Sequence, residues 1–139
     1  MRYVVLFILV FTFLSCSGDD KESTLRLSTL RIASNSKTLP EQVPSRFYYT
    51  DAQIVFSAVQ GTLSISEGGL VMKTSDPIDQ VEKFYENRFR ENGWKIIQTQ
   101  KGQHDRLIMA ESLRRLITVI LREESGTVIK LYFRRSYLD

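Results

Sequence analysis

Apolar and polar positions recur along this chain in two rhythms, and the change of rhythm marks the elements. Between residues 77 and 92, Ile78, Val81, Tyr85 and Phe89, with Phe84 beside them, fall at helical spacing. That lays them on one stripe, and such a stripe normally faces a core. The ends agree. Asp76 is a candidate N-cap whose carboxylate would accept from free backbone N–H groups. Pro77 suits a first helical position that needs no N–H. Asp79 and Glu82 oppose the positive end of the helix dipole, and Arg88 and Arg90 the negative end. Asn92-Gly93 supplies a left-handed stop.

On either side of this helix the pattern reads as strands. Residues 54–59 and 70–74 precede it, joined through a glycine-rich turn near Gly68-Gly69, with 62–66 as an extension of one of them. Residues 94–99, 106–110, 116–122 and 127–134 follow it, separated by loops short enough to join antiparallel neighbours. The expectation is an α+β domain: an antiparallel sheet of about five to six strands in the order ββαββββ, with one helix packed on one face.

Residues 23–32 carry a five-residue repeat, Ser23-Thr24-Leu25-Arg26-Leu27 and then Ser28-Thr29-Leu30-Arg31-Ile32. Five matches neither a helix nor a strand face. A semi-ordered linker is favoured over an extra strand docked on the domain. Pro40 and Pro44 then bracket an extended entry, because proline denies helix to the residue before it.

The first residues carry an address. Arg2 is followed by an apolar run over residues 3–14, interrupted only by Thr12. A membrane-spanning helix needs about 20 apolar residues, so the run suits a secretory signal instead. It ends Phe13-Leu14-Ser15-Cys16, which looks like a lipobox: cleavage between Ser15 and Cys16, with acyl chains such as palmitate held on the cysteine. Each buried CH₂ of such a chain contributes about 0.8 kcal/mol to anchoring. Residues 17–24 are polar and read as a flexible tether. The divisions expected are therefore a signal peptide over 1–15, a lipidated cysteine and tether over 16–38, and a single α+β domain over 39–139. Ser17 after the cysteine follows the sorting pattern for the outer rather than the inner membrane, which places the domain in the cell envelope, facing the periplasm or the surface.

Composition narrows the partners. The chain has 139 residues, 42% hydrophobic and 25% charged, with a formal charge of +3. Cleavage before Cys16 removes one cation, Arg2, and takes that +3 to +2. So small an excess does not make the dense basic patch that nucleic acid requires. The single cysteine rules out an internal disulfide.

Several residues then look familiar together. Leu39-Pro40-Glu41-Gln42-Val43-Pro44, Tyr49-Thr50-Asp51-Ala52, Thr74-Ser75-Asp76-Pro77, Val81-Glu82-Lys83-Phe84-Tyr85 and Glu91-Asn92-Gly93-Trp94-Lys95 resemble a widespread class of uncharacterised bacterial lipoproteins and secreted proteins. The resemblance covers residues 39–99 in motifs and the later strands in pattern. Where the class has Pro-Gly in its first turn, this chain has Thr50-Asp51. What the resemblance implies is the small α+β fold and lipoprotein status. It brings no reaction, cofactor or catalytic residue.

Candidate chemistry is sparse. A zinc or redox site needs clustered ligands, and the chain has one His, His104, with its cysteine committed to lipid. His104 beside Gln103 and Asp105 reads as a solvated loop residue rather than part of a Ser-His-Asp arrangement. Glu123-Glu124 reads as a polar hairpin tip whose two side chains diverge. Asp51 with Asp105 is the remaining carboxylate pairing. No nucleophile elbow or phosphate-cradling loop is present in the sequence. The chain therefore reads as non-catalytic, with no cofactor beyond the covalent lipid on Cys16.

The sheet is more informative. Ile117, Val119 and Leu121 alternate with Leu116, Thr118, Ile120 and Arg122, and Ile129, Leu131 and Phe133 with Val128, Lys130, Tyr132 and Arg134. One helix can cover one set. The other set, Leu116, Ile120, Arg122, Lys130, Tyr132 and Arg134, would form an outer face mixing aliphatic, aromatic and basic groups, as binding faces do. Three occupants are open: another envelope protein; an anionic envelope lipid or glycan held by Arg122, Lys130 and Arg134; or residues 23–32, or a second copy of the chain, merely covering it.

Overall fold

The computed structural model describes residues 21–136. Eight strands are present: β1 (Ser23–Leu27), β2 (Leu30–Ser34), β3 (Gln53–Gly61), β4 (Ile65–Thr74), β5 (Lys95–Lys101), β6 (Asp105–Ser112), β7 (Arg115–Glu124) and β8 (Gly126–Ser136), with one α-helix, α1 (Ile78–Glu91), between β4 and β5. They form a single sheet in the order β1-β2-β3-β4-β8-β7-β6-β5, antiparallel at every pairing. This overturns the expected α+β arrangement of about five to six strands: the described residues are mostly sheet, with a single α-helix among them.

Two local corrections account for the difference. Residues 23–32, favoured as linker, form with 33–34 a hairpin that extends the sheet edge alongside β3. Gly68 and Gly69 are not a turn; they lie inside β4, and the chain reverses over residues 62–64 instead. Glycine weakens a strand interior, and an aromatic across the pair can restore the packing. Here both are covered from β8. A Cβ at Gly69 would lie 3.3 Å from the Tyr132 ring, and one at Gly68 would meet the Phe133 ring and, at 2.5 Å, the backbone oxygen of Ala58.

The helix lies against β5, β6, β7 and β8 and buries Ile78, Val81, Tyr85 and Phe89. Phe47 and Tyr49, from the entry segment, join the same core. Phe47 packs against Phe89 at 5.1 Å and edge-on to Trp94 at 5.2 Å between ring centroids. The Tyr85 hydroxyl donates to the carbonyl of Phe47 at 3.2 Å. The helix starts differently from expectation. Pro77 is the extended boundary residue (ψ 149°), with no side-chain cap. The Asp76 carboxylate instead accepts from Tyr49 Oη at 2.5 Å and Gln80 Nε2 at 3.2 Å. The exit is a Schellman motif: Gly93 has φ +68°, its N–H donates to Arg90 O, and the Trp94 N–H donates to Phe89 O.

One charged group shares the helix's buried face. The Glu82 side chain is 7% exposed and accepts from Lys101 Nζ at 3.0 Å and Arg106 Nε at 3.3 Å. Arg106 also reaches Asp79 at 3.1 Å. Burying a carboxylate is costly unless it is paired and hydrogen-bonded, so this network fixes the first half of α1 to the β5–β6 hairpin.

Candidate functional site

The face of the sheet turned away from α1 is built by register. Residues directly opposed on antiparallel strands share a face. Tyr132 is opposite Thr118 on β7 and Gly69 on β4. Gly69 is opposite Ala58, Ala58 opposite Ile32, and Ile32 opposite Leu25. Thr118 continues to Met109 on β6. Met109 is opposite Gln98 on β5, so one row crosses all eight strands, and Thr118 is its only hydroxyl-bearing member other than Tyr132. In the next row Leu107, Ile120, Lys130, Val71 and Phe56 follow one another.

Within this face lies an open groove of about 450 Å³, lined among others by Leu30, Ala58, Gly69, Leu116, Thr118 and Tyr132. Gly69 makes the groove possible. Without a Cβ, β4 lets the Tyr132 ring lie flush against the strand, still 48% exposed.

The residues expected on the outer face do share it, but the groove gathers only some. Leu116, Tyr132 and Arg134 line it. Ile120 and Lys130 oppose one another farther along β7–β8, and Arg122 lies beyond them, opposite Val128. The two arginines meet carboxylates of the same sheet. Arg122 Nε donates to Asp105 Oδ1 at 3.0 Å, and Arg134 Nε lies 3.9 Å from Glu67. Ser15 and Cys16 lie outside the described residues. Leu30, Ala58, Gln60, Glu67 and Gly69 also line the groove, and no local pattern marks them: Leu30 lies in a repeat that fits no strand face, Gly69 in a dipeptide typical of turns, and the others join only through the pairing of β3, β4 and β8.

The candidate chemical groups are dispersed. His104 Nδ1 is 3.0 Å from Glu123 Oε2 on the exposed surface, while Glu124 turns to Lys73 at 3.9 Å. Asp105 opens β6 and Asp51 precedes β3, in opposite halves of the sheet. Among the described residues no group of three or more His, Cys, Asp or Glu side chains could hold a metal ion. None of the helices in the described residues is long and apolar enough to cross a membrane.

Buried phenols sit on the helix side. Burial pushes the Tyr49 hydroxyl up to about 12, with its hydrogen bond to Asp76 adding to the rise. Burial likewise raises Tyr85, and Tyr49 contributes. Both hydroxyls act as structural donors between the entry segment and the helix.

A family model described as START domain-like matches residues 54–122, from β3 through most of β7. No curated protein and no solved structure matches the chain. The matched span holds α1 and five of the eight strands in whole or part, and a lone helix against an antiparallel sheet fits the helix-grip arrangement of a START-like domain. It includes the groove residues Ala58, Gly69, Leu116 and Thr118, and stops short of Tyr132.

Proposed function

We propose that this chain is a lipid-anchored cell-envelope protein whose domain is a non-catalytic interaction module, with another envelope protein seated on the open sheet face. One observation carries the binding part. Tyr132 lies half-exposed on Gly69 inside a groove flanked by Leu30 and Leu116. An apolar surface of this extent on a soluble domain generally marks an interaction site, and an amphipathic tyrosine is a common anchor in one. Resemblance to a START-like domain points the same way, towards a ligand-binding scaffold.

The charges favour a protein over an anionic lipid or glycan here. Arg122 faces Asp105, Arg134 faces Glu67, and Lys95 faces Glu111. Of the three expected cations only Lys130, opposite Ile120 and Val71, has no carboxylate facing it across the sheet, which leaves a weakened net field for an anion. Residues 23–34 extend this face rather than roofing it, which leaves Leu25 and Leu27 exposed. The anchor rests on Arg2, the apolar run that follows it and Ser15-Cys16.

Photo-cross-linking in intact cells from a reactive amino acid at position 132 tests the binding part. A discrete protein adduct is the expected result. A lipid-sized adduct would transfer the site to the anionic-lipid alternative. Silence at 132 with adducts from position 83, on the exposed side of α1, would refute the surface altogether. The anchor has its own test: intact mass should show acyl chains on the mature chain, and Cys16→Ala should abolish them and the partitioning into detergent.

A further inference from the structure

We infer that the outer edge of β1 pairs with the same edge of a second copy of this chain, antiparallel and centred on Arg26. Among the described residues both edges of the sheet are open, β1 on one side and β5 on the other, and they are not alike. β5 has Lys95 and Lys101 at its ends and a bulge between Ile96 and Gln98, devices that keep an edge from pairing. β1 has neither lysine nor bulge, and it carries Leu25 and Leu27, each more than half exposed.

The sequence repeat says what fits there. Within the domain, Leu25-Arg26-Leu27 is paired with Leu30-Arg31-Ile32, the same triplet from the next repeat: Leu25 is opposite Ile32, Arg26 opposite Arg31 and Leu27 opposite Leu30. β1 is therefore already seated against a near-copy of itself. With a second β1 on its free side, the same register sets Leu25 opposite Leu27 of the second copy, Arg26 opposite Arg26 and Leu27 opposite Leu25. That set is symmetric about Arg26, as the two-fold axis of a dimer requires.

The backbone agrees. The Gly61 N–H donates to Thr29 O at 3.1 Å, and the Asn35 N–H to Val55 O at 2.9 Å. Bonding alternates along an antiparallel strand, so Arg31 and Ala33 bond to β3, and Leu30 and Ile32 bond to β1. Their partners Leu27 and Leu25 are thereby bound inward. Thr24 and Arg26 turn their N–H and C=O groups outward, and two copies centred on Arg26 exchange a pair of hydrogen bonds there. Opposed residues share a face, so the leucines of both copies cover one another on the open face of the sheet. Opposed guanidinium groups at the centre weaken the pair, and the strand has only five residues. The pairing is therefore tested at its concentration in intact cells, and the central charge supplies the test.

Two differently tagged forms of the full chain are co-expressed, one with a photoreactive amino acid at position 25. Illumination is expected to give an adduct of twice the chain's mass that carries both tags. Position 63, fully exposed at the β3–β4 turn, should give none. Arg26→Glu in one form only sets opposite charges at the centre and should raise the two-tag yield several-fold. Arg26→Glu in both forms restores like charges and should return the yield to its original level or below. A substitution that merely disturbed the hairpin would not tell mixed pairs from matched ones. Absence of a two-tag adduct from position 25, an equal yield from position 63, or a yield indifferent to which copies carry Arg26→Glu overturns the pairing. An adduct from position 25 to a different protein alone overturns it too. The pairing stands apart from the partner proposed for the open face, which position 132 reports.

Discussion

The two faces of β7 and β8 are made from nearly the same materials and meet different fates. Towards the helix stand Ile117, Val119, Leu121, Ile129, Leu131 and Phe133, all buried. Away from it stand Leu116, Thr118, Ile120, Lys130, Tyr132 and Arg134, part-buried or exposed. Strands apolar on both faces are the mark of a sheet covered on both sides, yet within the described residues only one side has a cover. The chain thus carries a second apolar face whose burial within the domain is incomplete. That is the physical content of the interaction proposal, and substitutions on the two faces should separate folding from recognition.

The largest separation should come from Phe89, which packs against Phe47 and Trp94 on the covered face. Phe89→Ala is expected to cost about 3–5 kcal/mol in urea unfolding, the usual range for truncating a buried aromatic. A loss below about 1 kcal/mol, within the spread of ordinary surface substitutions, would mean that this face is not the core.

Next come the adjacent glycines of β4, which face opposite ways. Gly68→Ala pushes a methyl group into the backbone of β3 and should destabilise by about 1–3 kcal/mol, as overpacking does. Gly69→Ala meets only the movable Tyr132 ring and should stay within about 0.5 kcal/mol, as surface changes do. Equal effects at the two positions would erase the distinction between the faces.

Alkaline pH probes the covered face again, more gently. The Tyr49 hydroxyl is raised to about 12 from an ordinary 10, so the folded state holds its proton more tightly than the unfolded chain does. Its contribution is fully present below pH 10 and is lost as pH rises from 10 through 12. The urea midpoint should be flat to about pH 9, below the ordinary tyrosine range, and fall above 10. Tyr49→Phe should make that fall shallower, the remainder coming from Tyr85, whose hydroxyl burial also raises. A midpoint independent of pH up to 11 in the unaltered chain would contradict the assignment.

A small effect on stability, and the largest on the proposed partner, belongs to Tyr132. Tyr132→Ala should shift unfolding by less than about 1 kcal/mol, because nearly half the residue is already in water. The protein adducts formed from neighbouring face positions, such as 116, should disappear with it. Unchanged adducts would remove Tyr132 from the interface.

Much of the covered half was legible because its code is local. The helix stripe from Ile78 to Phe89 and the alternation along residues 116–134 need only neighbouring residues to be read. The other half depends on a turn and a long-range partner. Strand alternation along a straight segment would set Leu25 and Leu27 on one face and Leu30 and Ile32 on the other. The chain reverses at Ser28-Thr29, and the register Leu25↔Ile32, Leu27↔Leu30 brings all four to one face. Gly68-Gly69 looked like a turn because nothing nearby shows that Phe133 and Tyr132 will supply the missing side-chain bulk. The groove follows from both facts, so half its lining could not be read from sequence. Phe47 and Tyr49 were hidden in a segment without periodicity.

The strand order also says how this sheet must come together in time. The four strands before α1 can zip in sequence order, and so can the four after it; in each set every strand pairs with the next along the chain. The two ribbons join at a single seam, β4 against β8, ten residue pairs from Ile65↔Ser136 to Thr74↔Thr127. The helix and three strands lie between those partners in sequence, so the seam is the one pairing that must close a long loop. Loop closure of this kind slows folding more than it weakens the folded state. The seam should therefore form last, and until it does, the edges of β4 and β8 stand open side by side. Both flank the row in which Tyr132 meets Gly69, so the groove does not exist until the two ribbons have met.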